Sequence, residues 1–198
     1  MTITDIQNLH QQLPERLPKM VVFDLDYTCW ETWIDCTSGP PFTYDANVNV
    51  VYTKHQEDVR LFKDLSTVFA LIKSLPDIKI GIASRTHTDD WATAALELFR
   101  IPQIEGSPTM MSQIDYFEAY PGSKIKHFKE LEKKSGIPCK DMVFFDDMRY
   151  NNEVTKLGVL FNLVDTRKGV TIQSLIASLV QYDKESRYVQ TKLDFSKH

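Results

Sequence analysis

Met20-Val-Val-Phe-Asp-Leu-Asp-Tyr-Thr28 sets a run of four apolar residues directly against two carboxylates spaced two apart. A short apolar, β-branched run that ends abruptly in acid reads as a strand buried on both faces, with the carboxylates at its C-terminal end. The same grammar recurs downstream. Ile78-Lys-Ile-Gly-Ile-Ala83 ends in Ser84, Met142-Val-Phe-Phe145 ends in Asp146-Asp147, and Val159–Val164 forms a further run, with a weaker strand near 114–119. Between them lie helical patterns. Val59, Leu61, Phe62, Leu65, Val68, Phe69 and Ile72 draw one helix face over 57–74. Ser84–Asp90 turns into a helix running to about Phe99, with Thr86 or Thr88 as its cap. Further helices are expected over 123–135, 149–157 and 170–182. Strands alternating with helices predict an α/β fold with a parallel sheet covered on both faces.

The remaining stretches do not follow this alternation. Residues 1–18 read as a polar leader that ends at Pro18, and 30–52 as a flap or hairpin excursion built of aromatics, β-branched residues and Gly39-Pro40-Pro41. A chain of 198 residues fits one domain, 1–198. Its net charge of −4 offers no basic surface for nucleic acid, and no apolar run reaches the length of a membrane span. The N-terminal segment lacks the apolar core of a secretory signal. Three cysteines without paired spacing suit reduced thiols, so the expected address is the cytoplasm, with the nucleus open to it as well.

Ligands in open parallel sheets bind beyond the carboxyl ends of the strands. That rule gathers Asp24, Asp26, Thr28, Ser84, Asp146 and Asp147 on one rim, joined by Lys124 at a helix start after Pro121-Gly122-Ser123. Carboxylates crowded together repel, and a hard divalent cation with all-oxygen ligands, Mg²⁺, removes the conflict. Lys124 and the Ser84 hydroxyl would then clamp a phosphoryl group. Asp24, at the strand's end, is the expected nucleophile, giving an acyl phosphate. Asp26 would protonate the leaving oxygen and then activate water. Thr28 would hold the turn through its hydroxyl. Arg85 is a candidate for a second anionic group of the substrate. Trp30, Trp33 and Phe42 read equally as an aromatic wall at the mouth or as packing under the hairpin, and Asn151 as a tie for the Asp146 loop or the start of a helix.

These motifs resemble those of the haloacid dehalogenase (HAD) superfamily of phosphatases: Val22-Phe-Asp-Leu-Asp-Tyr-Thr28 for the first motif, Ser84 for the second, Lys124 for the third and Phe145-Asp146-Asp147 for the fourth. Cys29-Trp30, Trp33, Asp35, Pro40-Pro41-Phe42, Ala83-Ser-Arg-Thr86 and Tyr120-Pro-Gly-Ser-Lys124 are similar, more narrowly, to the eukaryotic magnesium-dependent phosphatases. The resemblance implies a three-layer Rossmann-like sheet without a large cap domain. It implies Mg²⁺ held by Asp24, the main-chain carbonyl of Asp26, and Asp146, with Asp147 supporting. It also implies hydrolysis of a phosphate monoester, on a phosphorylated sugar adduct of an amine or on a phosphotyrosine-type phosphoprotein. Cys29 stands where the family commonly carries an aliphatic residue; a thiol there reads as core. The alternatives are a phosphotransferase or dehalogenase-type reaction at the same site, and a catalytically inactive binding module. Intact Asp24, Asp26, Lys124 and Asp146 argue against the module, and Asp26 against the dehalogenase.

Overall fold

A computed structural model describes residues 3–195; the first two residues of the expected leader and the last three of the expected domain lie outside it. In chain order the elements are α1 (Ile3–His10), β1 (Met20–Phe23), β2 (Thr43–Asp45), β3 (Val50–Tyr52), β4 (Asp58–Arg60), α2 (Leu65–Lys73), β5 (Lys79–Ser84), α3 (Asp89–Leu98), α4 (Met110–Gln113), β6 (Tyr116–Ala119), α5 (Lys124–Ser135), β7 (Met142–Asp146), β8 (Leu160–Leu163) and α6 (Ile172–Phe195). Short 3₁₀ turns cover Ile34–Cys36, Cys139–Asp141 and Arg149–Leu157.

Five strands form one parallel sheet in the order β6-β5-β1-β7-β8. The chain leaves β1 toward β5 and β6, then returns to build β7 and β8 on the other side, so the strand order reverses beside β1. That reversal opens a crevice at the carboxyl ends of the strands, the place such sheets bind ligands.

Side chains of a strand alternate between faces, and the core divides accordingly. Val21 and Phe23 of β1, Ile80 and Ile82 of β5, and Val143 and Phe145 of β7 join the cluster under α2, α3 and α6. Met20, Val22, Ala83, Met142 and Phe144 join the cluster that contains Phe128 and Leu131 of α5. All four residues of β1 are fully buried. At about 1.5–3 kcal/mol for each large apolar side chain, this strand and the equally buried β7 are strongly held at the centre of the sheet. Phe23 stacks between Phe69 and Phe145, with centroids 5.3 and 5.6 Å away.

Four expectations need correction. The helix expected over 57–74 begins only at Leu65; Asp58–Arg60 is a strand with a buried Val59 between two exposed residues, the period of a half-buried strand. It pairs antiparallel with β3, and β3 with β2, so the excursion is a three-stranded sheet reaching Arg60 rather than a hairpin ending at Tyr52. The segment 149–157 is 3₁₀, not α. The last helix runs to Phe195 instead of ending near 182: no Pro or Gly interrupts the segment, and Arg187 pairs with Asp183 one turn back, at 2.9 Å. Among the described residues, no helix is long and apolar enough to cross a membrane.

Asp115 ties the start of β6 to its surroundings. Its Oδ2 accepts from the Lys73 ammonium at 2.7 Å and from the Ile80 amide at 2.8 Å, while Lys79 lies 3.4 Å from Oδ1. Burial pushes this carboxyl upward, but the Lys73 and Ile80 hydrogen bonds and the two lysine charges outweigh it and hold it below its usual value. Its stabilising contribution is therefore present above the unfolded pKa and is lost as pH falls through the depressed folded value. Asp115→Asn is expected to lower Tm by roughly 2–4 °C at pH 7, as a partly exposed pair worth about 1 kcal/mol should. The difference from wild type should close in thermal melts carried to acid pH.

Candidate active site

Four loops meet at the crevice. After β1 the chain reverses sharply through Tyr27, which sits at φ +52°, a left-handed conformation that non-glycine residues adopt at a cost of about 1 kcal/mol or more. The turn is tied by main-chain bonds from Cys29 and Thr28 to the Leu25 carbonyl, 2.7 and 3.2 Å. The Thr28 hydroxyl, expected to hold this turn, is buried without a hydrogen-bond partner among the described residues, and the backbone bonds carry that task. Cys29 is buried with its thiol donating to the Asp24 carbonyl at 3.1 Å; burial, with Asp24 and Asp26 nearby, pushes its pKa well above the ordinary thiol value. That makes it an inert core thiol.

Lys124 reaches the crevice because of local geometry before α5. Gly122 takes φ +153°, a conformation open essentially to glycine. Ser123 then caps the helix by accepting from the Ile125 amide at 3.1 Å. The side chain of Lys124 is fully buried. Its ammonium donates to Asp24 Oδ1 at 2.6 Å and to the Ala83 carbonyl, and lies 3.2 Å from Asp146 Oδ2. Lys126, two residues on, instead lies over the Tyr120 ring, 4.8 Å from its centroid. Asp24 Oδ2 has no hydrogen-bond partner among the described residues.

Asp146 is fixed from two sides. Its Oδ1 accepts from the Met148 amide at 2.7 Å, and Asn151 donates to Oδ1 and Oδ2 at 2.9 and 2.8 Å. Asn151 is thus the tie of the Asp146 loop rather than a helix start; Asn152 is exposed. Asp26 is held just as firmly: its Oδ1 accepts from the Trp30 indole at 2.6 Å and from the Ile34 amide at 3.0 Å. Both donors land on one oxygen, which leaves Oδ2 as the atom on which a proton would sit. The indole role of Trp30 has no signature in a sequence; Trp30 is fully buried, Phe42 packs against the core, and only Trp33 remains half-exposed at the mouth.

Ser84 is buried, and its Oγ accepts from the Thr86 amide at 3.3 Å. That leaves its hydroxyl hydrogen for another acceptor. Arg85 does not swing free. Its guanidinium donates to the Gly122 carbonyl and, at 3.4 Å, to Asn151, and lies 5.2 Å from the centroid of the Tyr150 ring. The crevice has a volume of about 320 Å³, and its lining includes Asp24, Asp26, Ser84, Arg85, Lys124, Asp147 and Asn151. The fold thus brings all the sequence-selected polar residues together except the Thr28 hydroxyl; Asp146 is fully buried beneath the crevice lining, 3.2 Å from the Lys124 ammonium.

The electrostatics call for a cation. Burial raises Asp24 above the ordinary carboxylate range; Lys124 opposes this and Asp146 reinforces it. Burial lifts Asp26 to about 6 against the Ile34 and Trp30 hydrogen bonds. Burial and then the Asp146 charge lift Asp147 to about 6. Oxygens of Asp24, Asp146 and Asp147 lie within 4.8 Å of one another. An all-carboxylate donor set with more acid than Lys124 can neutralise fits a hard divalent ion.

Comparison with known proteins identifies the family. Residues 16–185 match the acid phosphatase family. The chain is 38% identical over 170 residues to the human protein named magnesium-dependent phosphatase 1, covering 85% of this chain and 89% of that one. It is 40% identical over 146 residues to a HAD-like hydrolase superfamily protein of Schizosaccharomyces pombe, covering 73% and 84%. Among solved structures, the N-terminal phosphatase-domain part of a Bacteroides fragilis protein, complexed with Mg, shares the fold with a TM-score of 0.57 at 21% identity. That likeness covers 89% of this chain, which spans less than half (43%) of the solved one.

Removing the Lys124 charge while keeping its bulk leaves two buried acids facing each other. Lys124→Met is expected to destabilise the metal-free protein by about 3–5 kcal/mol in urea unfolding. Millimolar Mg²⁺ should restore more stability to this variant than it adds to wild type.

Proposed function

Because the chain belongs to the acid phosphatase family and is a magnesium-dependent phosphatase of the HAD superfamily, we propose that it hydrolyses phosphate monoesters through an aspartyl-phosphate formed on Asp24. The single observation that carries this reading is the asymmetry of the two carboxylates. Asp24 has one oxygen occupied by Lys124 and one without a partner, whereas Asp26 has one oxygen doubly held and a raised pKa. The first is suited to attack and the second to carry a proton.

In the first half-reaction Asp24 Oδ2 forms a bond to phosphorus as the ester bond breaks, and the proton on Asp26 Oδ2 passes to the leaving oxygen. In the second, the Asp26 carboxylate takes a proton from the attacking water, the Asp24–phosphorus bond breaks, and inorganic phosphate leaves. Lys124 and the Ser84 hydroxyl donate to the phosphoryl oxygens, and the Arg85 guanidinium fixes the loop that carries Ser84. Asp24, Asp146 and the main-chain carbonyl of Asp26 would hold the Mg²⁺, with Asp147 supporting them. When bound, the ion supplies positive charge against the phosphoryl oxygens and relieves the carboxylate repulsion.

A crevice of about 320 Å³ is large enough for the phosphate of a small phosphorylated metabolite, such as a sugar adduct of an amine, together with part of its body. A phosphotyrosine-type ester is a second reading, favoured by Trp33 and Tyr150, two exposed rings that line the same crevice. Comparing kcat/KM over phosphorylated sugars and phosphotyrosine peptides, in wild type and Trp33→Ala, separates the two: the aryl reading requires a selective loss on the peptides.

Purified protein should hydrolyse para-nitrophenyl phosphate with Mg²⁺ and stop on addition of EDTA. Asp24→Asn should abolish turnover; wild-type turnover in that variant would remove Asp24 as nucleophile. Asp26→Asn should cost roughly 10²–10⁴-fold in kcat. Trp30→Phe, which deletes one donor to Asp26, should cost about tenfold, the equivalent of a charge-assisted hydrogen bond of about 1.5 kcal/mol.

A further inference from the structure

The 3₁₀ turn Ile34–Cys36 stands between two parts of the crevice that lie far apart in the sequence. Its own geometry is compact: the amide of Cys36 bonds to the Trp33 carbonyl and that of Thr37 to the Ile34 carbonyl, both at 3.1 Å. The fully buried Ile34 side chain roots it in the core. On one side the Ile34 amide donates to Asp26 Oδ1. On the other, the Asp35 carboxylate reaches the loop after β5. Its Oδ1 accepts from the hydroxyls of Thr86 and Thr88, the latter at 2.5 Å, and its Oδ2 accepts from the His87 amide at 3.1 Å. The His87 ring nitrogen Nδ1 stands 3.6 Å from Oδ2.

This carboxylate changes what the two threonines do. Thr88 occupies the N-cap position of α3 yet makes no side-chain cap bond, and Thr86 does not supply one either. Both hydroxyls, expected from the sequence to cap the helix, are drawn to Asp35 instead. Thr86 also stays in register with Ser84, because its amide donates to Ser84 Oγ and its Oγ1 accepts from the Thr88 amide at 3.1 Å. A chain of contacts therefore runs from Asp26 through Ile34 and Asp35 to Thr86 and Ser84.

We propose that Asp35 is a positioning residue: through this one turn it sets the distance between the proton-transferring carboxylate Asp26 and the phosphate-holding hydroxyl of Ser84. The inference rests on the phosphatase reading above and adds a residue to it. Asp35 acts through Thr86 and touches neither the phosphoryl group nor the leaving oxygen. One carboxylate oxygen meets two hydroxyl donors and the other an amide donor, and the negative charge strengthens all three bonds. An asparagine of the same shape removes that charge and replaces one acceptor by an NH₂ group, so the bonds to the hydroxyls weaken or reverse.

Asp35→Asn, Thr86→Val, Thr86→Ser and the double variant Asp35→Asn/Thr86→Val should be compared with wild type on para-nitrophenyl phosphate with Mg²⁺, together with inhibition by inorganic phosphate. Misplacing a reacting group by a fraction of an ångström costs on the order of tenfold or more. Asp35→Asn and Thr86→Val are thus expected to lower kcat at least about tenfold and to weaken phosphate inhibition, with Tm lowered by only roughly 2–4 °C. Thr86→Ser, which keeps the hydroxyl, should retain activity. The double variant should be no worse than the poorer single one, since both break the same link. Unchanged kcat and phosphate inhibition in Asp35→Asn, or fully additive losses in the double variant, would overturn the proposal. If Asp35→Asn does not fold, Thr88→Ala removes a single donor and must show the same kcat loss on a smaller scale; wild-type kcat there overturns it too. Failure of the phosphatase reading looks different, since wild type itself would then lack Mg²⁺-dependent turnover.

Discussion

A buried ammonium between two buried carboxylates organises this molecule. Lys124 is the fourth corner of a site whose other corners, Asp24, Asp26 and Asp146, lie at the ends of β1 and β7. Carrying a lysine into the interior is unfavourable unless its charge is met at close range, and here two aspartates and a carbonyl meet it. The requirement runs in both directions. The acids need a cation because they stand at adjacent strand ends, and the lysine needs the acids because α5 delivers it below the surface. The strand order serves the same demand: with β1 between β5 and β7, groups from distant parts of the chain meet at adjacent strand ends.

Much of this was legible in the sequence, and for a physical reason. A strand buried on both faces must be apolar throughout, so its end is marked by the first residue that cannot be buried alone. Asp24, Ser84 and Asp146 are such residues, and each lies where the sequence put it. What the sequence hid depended on side chains crossing between segments. Val59 and Phe62, three apart, fit a helix face, while Val59 and Leu61, two apart, fit a strand face, and pairing with β3 decided the matter. Thr86 and Thr88 have the chemistry of helix caps, yet a carboxylate from the excursion took both hydroxyls. The indole of Trp30 donating to Asp26 leaves no periodic trace at all.

The excursion between β1 and α2 is more than decoration on a Rossmann-like sheet. It supplies Trp30 and Ile34 to one carboxylate, Asp35 to the opposite loop and Trp33 to the mouth. A fold without a large cap domain thus draws from one small antiparallel sheet and its approach both the inner supports of its site and part of its rim. Under the proposed function, substrate range and catalytic geometry would for that reason be coupled: Trp33, at the rim, lies two residues from Asp35.

The amide of Asp24 donates to the Phe145 carbonyl at 2.9 Å, inside the most deeply buried pair of strands. Protons on such amides exchange with solvent only when the entire domain opens, whereas small peripheral sheets belong to less protected cooperative units. The floor of the crevice therefore endures as long as the native state does. Its wall, carried by the excursion, rests on three-residue strands of a separate small sheet, so its amides are expected to exchange sooner than that of Asp24.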